Sequence, residues 1–204
     1  TDVTYGSMAG TSGPRDFIEL PSQLLEHWVS EPEVLKSFAT HYETGESIPD
    51  ELIEKLSKAA KFNQGFANTE YLAASLLDMD WHTMSLLETQ KITNNFEKNS
   101  MDKIGLIDEI APRYRSTYFA HIFSGGYSSG YYSYIHAAVL DSDAFEAFKE
   151  VGNVFDTKLS SKLRKNIYEK GSTEEAMDLY INFRGRKPII APLLKVRGLD
   201  GSSD

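Results

Sequence analysis

The chain contains no cysteine. That removes disulfides, thiolate nucleophiles and cysteine-ligated metals, and allows a reducing compartment. It has no apolar run long enough to span a bilayer, so no membrane partner is expected. Basic residues are outnumbered, 21 Lys and Arg against 30 Asp and Glu. The resulting net charge of −9 argues against a nucleic-acid backbone or an anionic membrane as partner. Five histidines are present, His27, His41, His82, His121 and His136, and no two stand four apart. No single helical turn therefore offers a pair of imidazoles to a metal. β-Branched residues are scattered and rarely alternate, so no strand is predicted. There is no internal repeat. The N-terminus lacks a starting Met and has no basic segment followed by an apolar one. It is not a signal peptide; the chain is expected to begin inside a longer protein, with a cytoplasmic location.

What is present is helical. With 204 residues, 41% hydrophobic and 25% charged, the composition is that of a folded globular chain with one sizeable core or two small ones. Residues 6–14 form a small-residue loop. Phe17, Leu20, Leu24, Leu25 and Trp28 give a helical period over 16–29. Helices are predicted over 32–42 and 50–61, each opened by a proline, then over 65–87, 126–140, 143–151 and 156–169. Gly171 reads as the residue that ends the last of these. Ser172-Thr173-Glu174-Glu175 reads as a capping box for the next helix, and a short apolar helix over 189–194 follows. The predicted class is all-α, with a loop over 1–14 and one helical core over 15–204.

Two segments stand apart chemically. The first, His121 to Tyr134, holds a histidine, the pair Gly125-Gly126 and the tyrosines Tyr127, Tyr131, Tyr132 and Tyr134. On a helix, Tyr127, Tyr131 and Tyr134 share one face. A row of phenols beside a histidine suits a place where negative charge develops on an oxygen. The second is Arg15-Asp16-Phe17-Ile18-Glu19-Leu20-Pro21-Ser22-Gln23. Glu19 is a carboxylate in apolar company, and Pro21 places it at a helix start. It reads either as a helix-capping acid or as a metal ligand. Asp16 reads as an N-cap, and Tyr118 and Tyr132 as core. Arg113 and Arg115 read as structural ion-pair partners, with capture of a peptide carboxylate as the alternative. His27, His41, His82 and His136 read as structural or surface residues. Asp78 and Asp80 receive no role.

Phe-Ile-Glu-Leu-Pro-Ser-Gln, followed by Glu26-His27-Trp28, resembles the third-ligand segment of the thimet oligopeptidase and peptidyl-dipeptidase family of zinc metallopeptidases. Arg113-Tyr114-Arg115-Ser116-Thr117-Tyr118-Phe119-Ala120-His121, with Gly125-Gly126-Tyr127 and Tyr131-Tyr132-Ser133-Tyr134, is similar to that family's substrate and transition-state segment. The Tyr-Phe-Ala-His-Ile-Phe wording resembles the bacterial peptidyl-dipeptidase branch. The segments Phe62-Asn63-Gln64-Gly65, 76–82 and 183–199 extend the resemblance over nearly the whole chain.

The resemblance implies a helical zincin-like fold that hydrolyses short peptides and releases C-terminal dipeptides. It implies that Glu19 is the third zinc ligand, with Glu26 a carboxylate that orients a zinc-bound histidine or else a solvated acid. It implies that His121, Tyr127 and Tyr134 face the scissile carbonyl, while Tyr131, Gly125 and Gly126 help bind substrate, the two glycines reaching positive φ so that the loop closes. The Gly6 to Gly13 loop is a candidate mobile flank. One departure is large. The family holds zinc with the histidines of H-E-x-x-H, whose glutamate is the general base, and this chain has no such motif. In the zincin pattern that motif lies about 25 residues before the ligand glutamate, which falls upstream of Thr1. The expectation is a C-terminal portion, inactive alone, whose partner is the N-terminal part of the same protein. Zinc is then not held tightly by the portion itself, and an uncovered apolar face favours self-association. The rival reading is a non-catalytic helical module that binds a peptide or protein through its tyrosine-rich face.

Overall fold

The computed structural model describes residues 1–85 and 95–201 and is all-α. Among those residues extended backbone pairs at an isolated bridge between Thr40 and Ser47. The helices are α1 (Arg15–Ile18), α2 (Leu20–Ser30), α3 (Pro32–Phe38), α4 (Asp50–Lys61), α5 (Gln64–Thr83), α6 (Phe96–Lys103), α7 (Ala120–Phe123), α8 (Ser133–Val151), α9 (Thr157–Leu163), α10 (Ala176–Arg184) and α11 (Ala191–Val196). None of the described helices is long and apolar enough to cross a membrane. The chain divides into two compact units, Thr1–Phe62 with Ile135–Asp204, and Asn63–Tyr134. The sequence pattern offers no such division within 15–204. The end predicted for α5 at Leu87 lies outside the described residues.

In the first unit the helix predicted over 16–29 is two helices. They part at Glu19, which caps α2 with φ −82° and ψ −13°. Pro21 explains the break: it lacks an N–H and is tolerated in a first turn but not in a helix interior. Phe17, Leu20, Leu24 and Trp28 still form one stripe. They share a core with Leu140, Phe145 and Phe148 of α8 and with Leu179, Tyr180 and Phe183 of α10. Each fully buried side chain of this kind contributes about 1.5–3 kcal/mol. Leu25, predicted on the same stripe, is exposed. Trp28 donates its indole N–H to Val154 C=O at 2.9 Å and meets Phe145 and Phe148 edge-on.

Asp156 caps α9 by accepting the Leu159 N–H at 2.7 Å. The predicted continuous helix over 156–169 instead changes pitch. Arg164–Tyr168 is a π turn, closed by Glu169 N–H donating to Arg164 C=O at 2.8 Å. Tyr168 donates its hydroxyl to Pro21 C=O at 3.0 Å, and so holds the first turn of α2. Burial pushes that hydroxyl above the ordinary tyrosine range. The capping box does not form. Glu175 stands at the cap of α10 without a side-chain bond, and Thr173 Oγ1 donates to Lys170 C=O at 2.8 Å instead. The loop over 1–14 is docked: Ser172 N–H donates to Met8 C=O at 2.9 Å, and Asp2 N–H to Glu169 C=O at 2.8 Å.

In the second unit α5 presents two faces. Ala73 and Leu77 pack with Met101, with Phe96 and Leu106 alongside. Tyr71, Ala74 and Trp81 face an aromatic cluster built on Phe119, Ile122 and Tyr131. Asp80 joins α5 to α6 by accepting Ser100 Oγ–H at 2.7 Å and the Lys103 ammonium at 3.2 Å.

Candidate active site

His121 lies on α7 and Tyr134 in the first turn of α8; Tyr127 and Tyr131 lie in the loop between. The helix predicted over 126–140 starts only at Ser133, so helical spacing is not why the tyrosines meet. A tight turn brings them together. Gly130 N–H donates to Tyr127 C=O at 2.8 Å, and Ser129 inside the turn has φ 54°. The His121 ring lies 6.0 Å from Tyr127, 5.6 Å from Tyr131 and 6.3 Å from Tyr134, centroid to centroid. Tyr127 and Tyr134 stack at 5.0 Å. Tyr114 and Phe119 close one side, Tyr114 4.9 Å from His121 and stacked on Phe119 at 5.1 Å.

Tyr131 is the most enclosed of the three tyrosines, 3% exposed. Burial pushes its hydroxyl far above the ordinary tyrosine range, so it remains an O–H donor at physiological pH. Its backbone is gripped from α5. Asp78 Oδ2 accepts the Tyr131 N–H at 3.0 Å and Asp78 Oδ1 the Ser129 N–H at 3.0 Å, while Tyr71 donates its hydroxyl to Tyr131 C=O. Asp78 holds this turn, and sequence reasoning assigns it no role. Its signal was there: a carboxylate among Leu76, Leu77 and Met79 needs donors, just as Glu19 does.

Gly125 and Gly126 are exposed between α7 and the turn. The positive φ expected of them belongs instead to Ser129. Gly125 is required for a different reason: a Cβ there would stand 2.7 Å from His121 C=O. Tyr118 and Tyr132, predicted as core, are exposed. Arg115 pairs with Glu97 at 2.9 Å and Arg113 with Glu70 at 3.6 Å, the structural use expected of them.

Glu19 and Glu26 belong to the first unit. The Glu19 carboxylate is half-buried and accepts Ser22 Oγ–H at 3.0 Å. Two neighbours fix its segment, since Tyr168 bonds Pro21 C=O and His136 Nδ1 lies 3.0 Å from Asp16 C=O. Asp16 sits in the first turn of α1 rather than at its cap, which is Pro14. Glu26 is exposed and borders a hollow of about 250 Å³ with Gln23, His27 and Asp141. His27 is structural, 2.7 Å from Asp141 and stacked on Phe145 at 4.9 Å. A catalytic zinc needs about three protein ligands. Among the described residues no group of three or more His, Asp or Glu is placed to hold a metal. These residues do not by themselves make a zinc site.

The family model described as Peptidase family M3 matches residues 1–199. Dipeptidyl carboxypeptidase of Escherichia coli (strain K12) is 41% identical over 197 residues, covering 96% of this chain and 29% of its own length. Oligopeptidase A of Haemophilus influenzae is 35% identical over 201 residues, covering 98% and 29%. Saccharolysin of Saccharomyces cerevisiae is 34% identical over 191 residues, covering 92% and 26%. The chain thus spans under a third of the length of these curated relatives.

Proposed function

This chain belongs to peptidase family M3, and from that premise we propose that it supplies the C-terminal portion of a zinc-dependent oligopeptidase that releases dipeptides from the C-termini of short peptides. The observation that carries the reading is the convergence of His121, Tyr127 and Tyr134, with rings 5.0 to 6.3 Å apart. As a peptide carbon becomes tetrahedral its oxygen gains charge, and phenol O–H groups held beside it donate to that charge. One such donor is worth about 3 kcal/mol in the transition state. Tyr127 and Tyr134 take that role, and His121 faces the same carbonyl. Tyr131, Gly125 and Gly126 line the substrate backbone, Tyr131 from its enclosed position. Glu19 is the one metal ligand that this chain contributes, and Glu26 a carboxylate that orients another. The two histidines and the general base come from an H-E-x-x-H segment of the same protein outside these residues. The chain alone is then inactive.

The test supplies that segment in trans and follows dipeptide release from an N-terminally blocked short peptide. Cleavage is expected only with both parts present, and Glu19→Gln is expected to abolish it. Peptide binding by the chain without cleavage in the mixture would favour a non-catalytic binding module instead.

A further inference from the structure

The tyrosines meet around His121 because the turn between them holds a conformation that serine seldom adopts. Ser129 stands at φ 54°, in the left-handed region that disfavours any residue with a Cβ. Such strain persists only where the surroundings over-determine it, and it gathers at functional sites. Here the surroundings are two side chains on one face of α5. Asp78, with no solvent exposure, accepts the N–H of Ser129 and the N–H of Tyr131, each at 3.0 Å. Tyr71, seven positions earlier, donates its hydroxyl to the C=O of Tyr131. Both backbone groups of Tyr131 are therefore held by a single helix. His82 Nδ1 lies 2.8 Å from Asp78 Oδ1 and 2.9 Å from Asp78 C=O. With its oxygens occupied by donors, Asp78 serves as an anchor rather than as an acid or base.

We propose that Asp78 is a positioning residue, which locks Ser129 in its left-handed conformation and so fixes Tyr127, Tyr131 and Tyr134 around His121 before substrate arrives. Donors aimed in advance need no reorganisation during reaction, and oxyanion stabilisation draws its strength from that. The catalytic half of the proposal rests on the peptidase reading; the structural half does not.

Four variants test it: Asp78→Asn, Ser129→Gly, the double variant, and the milder Tyr71→Phe. Asparagine keeps the shape of aspartate but turns an N–H toward one of the two amides. In the chain itself, residue-resolved hydrogen exchange at Ser129 and Tyr131 is expected to quicken at least about tenfold in Asp78→Asn, with Leu77 in mid-α5 unchanged. Tyr71→Phe should act in the same direction but less. Glycine reaches positive φ without strain, so adding Ser129→Gly is expected to restore part of the protection. In the reconstituted peptidase, Asp78→Asn should lower kcat about tenfold with little change in KM, and Ser129→Gly should recover part of that loss. Unchanged exchange in both Asp78→Asn and Tyr71→Phe overturns the proposal. Exchange that quickens equally along α5 also overturns it, because Asp78 would then merely support folding. A loosened turn with wild-type kcat overturns the positioning role. If the reconstituted wild type cleaves nothing, the peptidase reading falls, and the exchange comparison alone decides whether Asp78 anchors the turn.

Discussion

Asp143 carries a charge with no solvent exposure, and it is tolerated because every oxygen is engaged. Arg186 bonds it through both terminal nitrogens at 2.6 and 3.0 Å, and Tyr180 donates to it at 2.7 Å. Asp143→Ala leaves these donors facing one another without their acceptor. It should cost about 3–5 kcal/mol, read from the urea midpoint. A milder effect attends Glu150, which Arg184 holds below the usual carboxylate range through bonds at 2.6 and 2.8 Å. A carboxyl with a folded pKa below its unfolded value stabilises at higher pH, and that stability is lost as pH falls through the folded pKa. Glu150→Gln should therefore flatten the acid limb of a Tm-against-pH curve below about pH 4.5, modestly, since Glu150 is largely exposed. Tyr127→Phe removes one O–H and nothing else. The reconstituted peptidase is expected to lose about a hundredfold in kcat while the chain stays folded. At this scale the sequence makes single residues legible when a motif surrounds them. Glu19 and His121 gain a role that way, whereas Asp78, inside the matching segment 76–82, gains none, because the amides it holds are 51 and 53 positions away.

Elements were legible wherever apolar period and punctuation agreed. α4 matches its predicted span of 50–61, opened by Pro49 and carrying acids in its first turn. The misses have different causes, some local and some distant in sequence. Pro21 split the helix over 16–29, the residues before Ser133 form a turn whose amides Asp78 accepts from α5, and Arg164–Tyr168 widened into a π turn. α6, with Phe-Glu-Lys-Asn-Ser-Met-Asp-Lys, has too few apolar residues to announce itself, and it folds because Met101 packs on Leu77. Glycine spacing gave Gly171 as a helix terminator, but its part in the fold is to dock the N-terminal loop. At φ 55° it lets Met8 C=O approach so closely that a Cβ would stand 2.1 Å away. Gly171→Ala should cost of order 1–3 kcal/mol and make the first fourteen residues the earliest site of limited proteolysis.

The whole molecule leaves much apolar surface uncovered. Phe62 and Tyr42 are over 80% exposed, and Leu25 and Val29, one turn apart on α2, are both more than half exposed. Surfaces of this kind attract partners, so the isolated chain should self-associate. Light scattering coupled to size-exclusion chromatography is expected to show mass rising with concentration, together with binding of an apolar dye. A clean monomer that binds no dye would count against an uncovered face. The same incompleteness governs the metal. After chelator washing, elemental analysis should find far less than one zinc per chain, because Glu19 is not accompanied by two further ligands among the described residues. Fold class was the most legible property at this scale, since helical period recurs along the chain. The division into two units was not, because it depends on packing that sequence period does not encode.

The π turn at Arg164–Tyr168 makes the chain sensitive to length as well as to chemistry. Wound at ordinary α pitch instead, the same five residues would swing everything after them by about 90° around the axis. Tyr168 would then point away from Pro21, and the start of α2 would lose its tether. Relatives that keep this tether should carry either the π turn or one residue fewer there at ordinary α pitch.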